Sequence, residues 1–224
     1  KKNNDICRFQ LKKIKQEYSS QITKIDYKKT CWKITVNDKK IYNFKSLILT
    51  CPYPQLKKLA KKYLNKNMYN LNVKMEPNIT LMLAFKNQQN IPVSSIKFND
   101  NIIAWAANEN SKNRFKSTSS LWTIQTTSKW AKKNINSYRS DKKLINKLKS
   151  RFLTMTGFSN ADISFIKIHG WKYSYNLKTT KLKSYWNSKI KFGVCGDWFL
   201  GPKIENSWQS ANDLLKRIKK NLPS

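Results

Sequence analysis

The chain has little glycine, arginine, histidine or acid: five glycines, six prolines, one histidine and 12 Asp plus Glu among 224 residues. The one histidine is His169, and the four cysteines (Cys7, Cys31, Cys51, Cys195) form no CxxC pair. No Cys/His spacing suits a metal, and thiols this dispersed read as reduced, packed side chains of a cytoplasmic protein. Apolar runs such as "ITLMLAF" stop well short of the ~18 residues of a membrane span. There is no HExxH, nucleophile elbow, Walker A or paired-carboxylate spacing, so hydrolytic chemistry has no residues to stand on.

Basic residues are abundant, but of 45 Lys plus Arg only five are Arg (Arg8, Arg114, Arg139, Arg151, Arg217), and the formal net charge is +33. Recognition of bases or phosphates usually leans on the arginine fork. Lysines spread through every segment beside abundant Asn and Ile read instead as the solvated faces of an A/T-biased coding sequence. Specific nucleic-acid binding is therefore not expected, and a general attraction to anions follows from the charge alone. A basic, non-catalytic polyanion-binding module stays open as the alternative; it requires lysines segregated onto one face.

A 39% hydrophobic and 12% aromatic composition with eight tryptophans gives this chain enough apolar mass for a real core. Residues 5–18 carry helical spacing and predict an amphipathic helix. From Gln21 the pattern alternates as a β-meander, and its last run, Leu47 to Thr50, is apolar on both faces, as in a buried central strand. "CPYPQ" breaks that strand, and a helix follows through "QLKKLAKKYL". Strands are predicted at "ITLMLAFK", "VSSIKFN", "IIAWAAN" and "LWTIQTT". Thr and Ser residues cap "TTSKWAKKNI"; the helix after it takes Ser140 as N-cap and ends at Gly157. "ISFIKIHGWKYS" and "KIKFGVCG" are the last strands. In the final helix Ile204, Trp208, Ala211, Leu215 and Ile218 share one apolar face.

Two places could carry chemistry. Three of the five glycines (Gly193, Gly196, Gly201) fall within "FGVCGDWFLGPKIE", between a buried strand and a helix. Such a junction offers unpaired N–H groups and the positive end of a helix dipole, with Asp197 positioned for polyol hydroxyls. An ordinary strand-loop-helix turn with purely steric glycines explains the same residues. His169, Trp171 and Tyr173 alternate along one strand and so share a face, which could stack on a planar ligand or simply be packed. Trp105 reads as a core residue and is carried as a fourth pocket candidate.

Five segments taken together, "SLILTCPYPQLKKL", "IIAWAANENSKNR", "LWTIQTTSKWAKKN", "IHGWKYS" and "GVCGDWFLGPKIENSWQSA", resemble the renalase-type oxidoreductases within the flavoprotein amine-oxidase group. The resemblance runs from about Gln21 to the end. It implies a mixed α/β fold: a Rossmann-like FAD domain over 1–52 and 186–224, interrupted by a mixed-sheet substrate domain over 53–185. It also implies FAD as cofactor, dioxygen as oxidant, and a dihydronicotinamide or an amine as substrate. By family role Gly196 and Asp197 would hold the ribitol and phosphate region, the backbone near Ile204 and Glu205 would face the flavin N1 end, and Ile22 would touch the adenine half; Gly201, which frees the loop to turn, is carried in the same cofactor set. Pro52 joins the cofactor set, while His169, Trp171 and Tyr173 would lie on the substrate side. Two departures stand out. The family's Glu-Gly-Ala…Ser-Gly reads Glu205-Asn206-Ser207…Ser210-Ala211, and the GxGxxG unit that grips pyrophosphate is absent. The chain opens on "KKNN" rather than Met, so a truncated N-terminus is expected; loss of flavin binding is the other explanation.

Overall fold

The computed structural model describes residues 9–87, 92–114 and 117–221. It is a mixed α/β structure with three sheets, and its contacts divide it into two compact units. One comprises 15–75 with 175–221; the other comprises 76–174 with residues 9–14. The divisions between these units fall at 75/76 and 174/175.

In the first unit, β1 (Ile22–Lys28), β2 (Cys31–Val36) and β3 (Lys40–Phe44) form the expected antiparallel meander. A second sheet has the order β10-β11-β4, from β4 (Leu47–Leu49), β10 (Tyr185–Asn187) and β11 (Phe192–Val194), with β11 and β4 parallel. Position within the sheet corrects one expectation. Among the described residues β4 pairs only with β11, and Ile48 is 48% exposed, so this is an edge strand with one open side. Trp32, fully buried, donates its indole N–H to the Ile190 carbonyl at 2.7 Å and packs on Phe192 and Tyr63, which ties the meander into one core with the second sheet.

The helices follow the same logic. α1 (Tyr53–Ala60) accommodates Pro54 in its first turn, where no intrahelical N–H is needed, and buries Tyr53, Leu56 and Ala60. α2 (Lys66–Tyr69) is a single turn capped by Asn65. The helix expected over 5–18 is not continuous: residues 5–8 lie outside the described residues, 9 and 10 are helical, 11–14 turn, and 15–18 have no regular structure.

The second unit is built on a sheet of order β6-β7-β8-β5-β9, from β5 (Met75–Phe85), β6 (Ser95–Lys97), β7 (Ile103–Asn108), β8 (Ser120–Thr126) and β9 (Ile163–Asn176). α3 (Ser128–Asn134) is capped by Thr127, whose side chain accepts the Trp130 N–H. α4 (Lys142–Thr156) is capped by Asp141 rather than Ser140: the Asp141 carboxylate takes the N–H groups of Lys143 and Leu144, and it also complements the helix dipole. Gly157, at φ 73°, closes it as expected. Leu144, Leu148 and Phe152 of α4 are buried, Leu148 and Phe152 in a core with Leu81, Leu83, Trp122 and Phe158. Asp100 locks this packing. One carboxylate oxygen takes two Arg151 N–H bonds and the other takes the Ile102 and Ile103 amides; chiefly through the Arg151 bond, its pKa is lowered to about 2.

Candidate functional site

The loop between β11 and α5 (Ile204–Lys219) is built around Trp198. After buried β11 the chain enters a single 3-10 turn, Asp197–Phe199, in which the Leu200 and Gly201 amides both donate to the Asp197 carbonyl, at 2.9 and 2.7 Å. The Trp198 indole stacks on Phe199 at 3.8 Å and lies 5.2 Å from the Tyr53 ring. Its N–H donates to the Cys51 carbonyl at 3.2 Å. This bond brings the Cys51–Pro52 turn beside the loop, so Pro52, whose carbonyl accepts the Gln55 and Leu56 amides at the start of α1, belongs to the same locality.

Each glycine here has a local reason. A Cβ on Gly196 would stand 2.9 Å from the Trp198 indole nitrogen; the Gly196 amide is already taken by the Ser210 hydroxyl (3.0 Å), which itself donates to the Lys183 carbonyl at 2.6 Å. Gly201 has φ 125°, a conformation that needs glycine, and its carbonyl accepts from the Asn206 side chain and the Lys203 amide. At Gly193, a Cβ would press within 3.3 Å of Leu214 and Ile48, so its absence lets α5 lie on the sheet. Sequence spacing pointed to these glycines; Ser210 and Asn206 stood out in the sequence only as departures from the family pattern, and their hydrogen bonds to the loop were not foreseen. The signal for Ser210 is its i, i+4 relation to Leu214, since these two are the buried residues of α5.

Two features of the loop remain chemically unspent. Lys203, at the N-cap, makes no side-chain cap bond, and the Ile204 and Glu205 amides have no acceptor among the described residues, so the positive end of a 16-residue helix is open. Asp197 is half-buried, and burial pushes its carboxyl above the usual carboxylate range. Its carboxylate has no side-chain partner among the described residues. Nearby, the Asn176 amide group donates to the Lys178 and Trp198 carbonyls, while its own oxygen is buried without a donor among the described residues. Ile22 is placed differently: it opens β1, exposed, on the meander sheet, and no described contact brings it to the loop.

The pocket candidates lie in the second unit. His169 and Trp171 do share a face of β9, with their rings 4.4 Å apart edge to face, and Trp171 is 53% exposed; Tyr173 follows two residues on, half-buried. On the opposite face a Cβ at Gly170 would collide with Tyr138 and Ile135, so that face is packed and the His-Trp-Tyr face is the freer one. Trp105, half-buried on β7, is not with them. Strands β8 and β5 stand between β7 and β9, a separation of about 14 Å. Among the described residues no group of His, Cys, Asp and Glu could hold a metal ion, and no helix is long and apolar enough to cross a membrane.

This is a mixed α/β structure in which a parallel strand pair feeds a glycine loop and a helix N-terminus, and its overall fold resembles those of solved structures. The chain is similar to a protein assigned as a protoporphyrinogen oxidase from Exiguobacterium sp. 255-15, with a TM-score of 0.72, 10% identity, and coverage of 97% of this chain and 51% of that one. It is also similar to cyclohexylamine oxidase from Brevibacterium oxydans IH-35A, with a TM-score of 0.61, 8% identity, and coverage of 89% and 48%. These neighbours are flavin amine-oxidase-type folds, and the chain spans about half the length of each. No family model matches the sequence.

Proposed function

We propose that this chain carries the cofactor loop and substrate surface of a FAD-dependent oxidoreductase, renalase-like within the amine-oxidase group. The observation that carries the reading is the open N-terminus of α5, directly after a loop that holds a half-buried, side-chain-unpartnered Asp197. Open amides and a carboxylate suit a ligand presenting both an electron-rich ring edge and polyol hydroxyls, and a flavin has both. When bound, FAD supplies a two-electron acceptor that dioxygen can reoxidise.

The chain's own contribution is electrostatic and positional. Asp197 accepts hydrogen bonds from the ribitol hydroxyls. The Ile204 and Glu205 amides turn the positive pole of α5 toward the ring edge where negative charge develops. Gly196 and Gly201 set the loop, and Trp198 fixes it to the Cys51–Pro52 turn. In the other unit, His169, Trp171 and Tyr173 are the surface assigned to the planar part of a dihydronicotinamide or to an amine. The test uses protein expressed from the full coding sequence. It should purify with flavin absorbance bands, and Asp197→Ala should keep its circular dichroism while its FAD affinity drops about tenfold, the worth of a hydrogen bond to a charged group. A colourless protein, or unchanged FAD affinity in the variant, overturns the proposal.

A further inference from the structure

At the far end of α5, about 24 Å from Ile204 by helical rise, lies an open cleft of about 630 Å³ beside the edge strand β10. Trp186 of β10 lines it together with Asp213, Lys216, Arg217, Lys219 and Lys220 of the helix and its end. The cleft is rich in donors and poor in acceptors. Its one carboxylate, Asp213, is already satisfied by the Ser184 hydroxyl at 2.6 Å and the Arg217 Nε–H at 2.8 Å. Lys216, Lys219 and Lys220 have no carboxylate partner among the described residues. The Trp186 indole N–H is buried with no acceptor among the described residues.

Lysines in the last turn of a helix are also expected from the dipole, since they offset its negative end. That accounts for the charge but not for a cleft of ligand size, an aromatic ring in its wall or a buried indole N–H left over. Four cations against one already paired carboxylate select an anion, and an indole adds a flat surface on which a planar ring can stack.

We propose that this cleft binds a phosphate-bearing planar ligand of mononucleotide size, a nucleoside diphosphate or the terminus of a nucleic-acid strand, with its phosphates on Lys216, Lys219 and Lys220 and its ring against Trp186. The site is independent of the flavin reading, because it uses neither Asp197 nor the N-terminus of α5. Its test is calorimetric titration at physiological salt with ADP, inorganic pyrophosphate, adenosine and a short single-stranded oligonucleotide. ADP should bind more tightly than pyrophosphate, and adenosine should bind weakest. The double variant Lys216→Glu/Lys220→Glu should weaken ADP about tenfold or more, and Trp186→Leu should erase the advantage of ADP over pyrophosphate.

Lys143→Glu/Lys147→Glu makes the same charge change on the exposed face of α4, and it should leave ADP affinity unchanged. An oligonucleotide that binds more tightly than ADP, and loses that binding in the cleft variant, identifies the strand terminus as the source. Equal weakening by both double variants would show only diffuse attraction to a basic chain. Pyrophosphate binding as well as ADP would show that the ring is not read. Either result overturns the proposal.

Discussion

α4 and α5 have nearly the same length, 15 and 16 residues, and both are strongly amphipathic, yet they treat their apolar faces in opposite ways. α4 turns Leu144, Leu148 and Phe152 into its unit and caps both ends. In α5 the apolar stripe faces outward: Ile204 is 87% exposed, Trp208 69% and Leu215 47%, while the buried positions are Ser210 and Leu214. Its N-terminus is uncapped. The pattern of α4 is consumed by its own fold. That of α5 is only partly consumed, on the same sheet whose strand β4 has an open side, in a chain that spans about half the length of its solved neighbours.

The contrast yields measurable differences. Phe152, wholly buried against Trp122, Phe158 and Phe98, should cost about 3–5 kcal/mol of unfolding free energy when changed to Ala, read by urea denaturation. A loss near zero would break the claim that α4 is the packed member of the pair. Trp208→Ser exchanges residues of similar helix propensity at an exposed site, so in the same experiment it should shift stability by no more than about 0.5 kcal/mol. A loss of several kcal/mol would mean that the stripe is covered in solution.

Much of this fold was legible because local rules and tertiary packing agree. The meander from Gln21, the strands of the second unit, the Thr127 cap and Gly157 all follow from period and turn chemistry. The alternation that puts His169 and Trp171 on one face of β9 was equally readable. Failures came where a neighbour decides. Leu47–Leu49 has the composition of a central strand, but strand order is not written in one strand, and β4 lies at an edge. Ile204, Trp208, Ala211 and Leu215 do share a face, yet periodicity does not say which face meets the sheet; the missing Cβ at Gly193 beneath Leu214 helps to decide it. Asp141 displaced Ser140 because its carboxylate reaches two amides at once.

At the candidate site the glycine cluster was readable, but its cause was not. Gly196 is glycine because Trp198 occupies the space of its Cβ, and Gly201 because its φ is 125°. What remains for a ligand is Asp197 and the two open amides of α5.

Hydrogen exchange on protein from the full coding sequence, with and without FAD, tests that claim most directly. The account predicts slowed exchange of the Ile204 and Glu205 amides when FAD is bound, with the amides in the middle of α4 unchanged. FAD binding that leaves Ile204 and Glu205 exchanging as freely as before would contradict it.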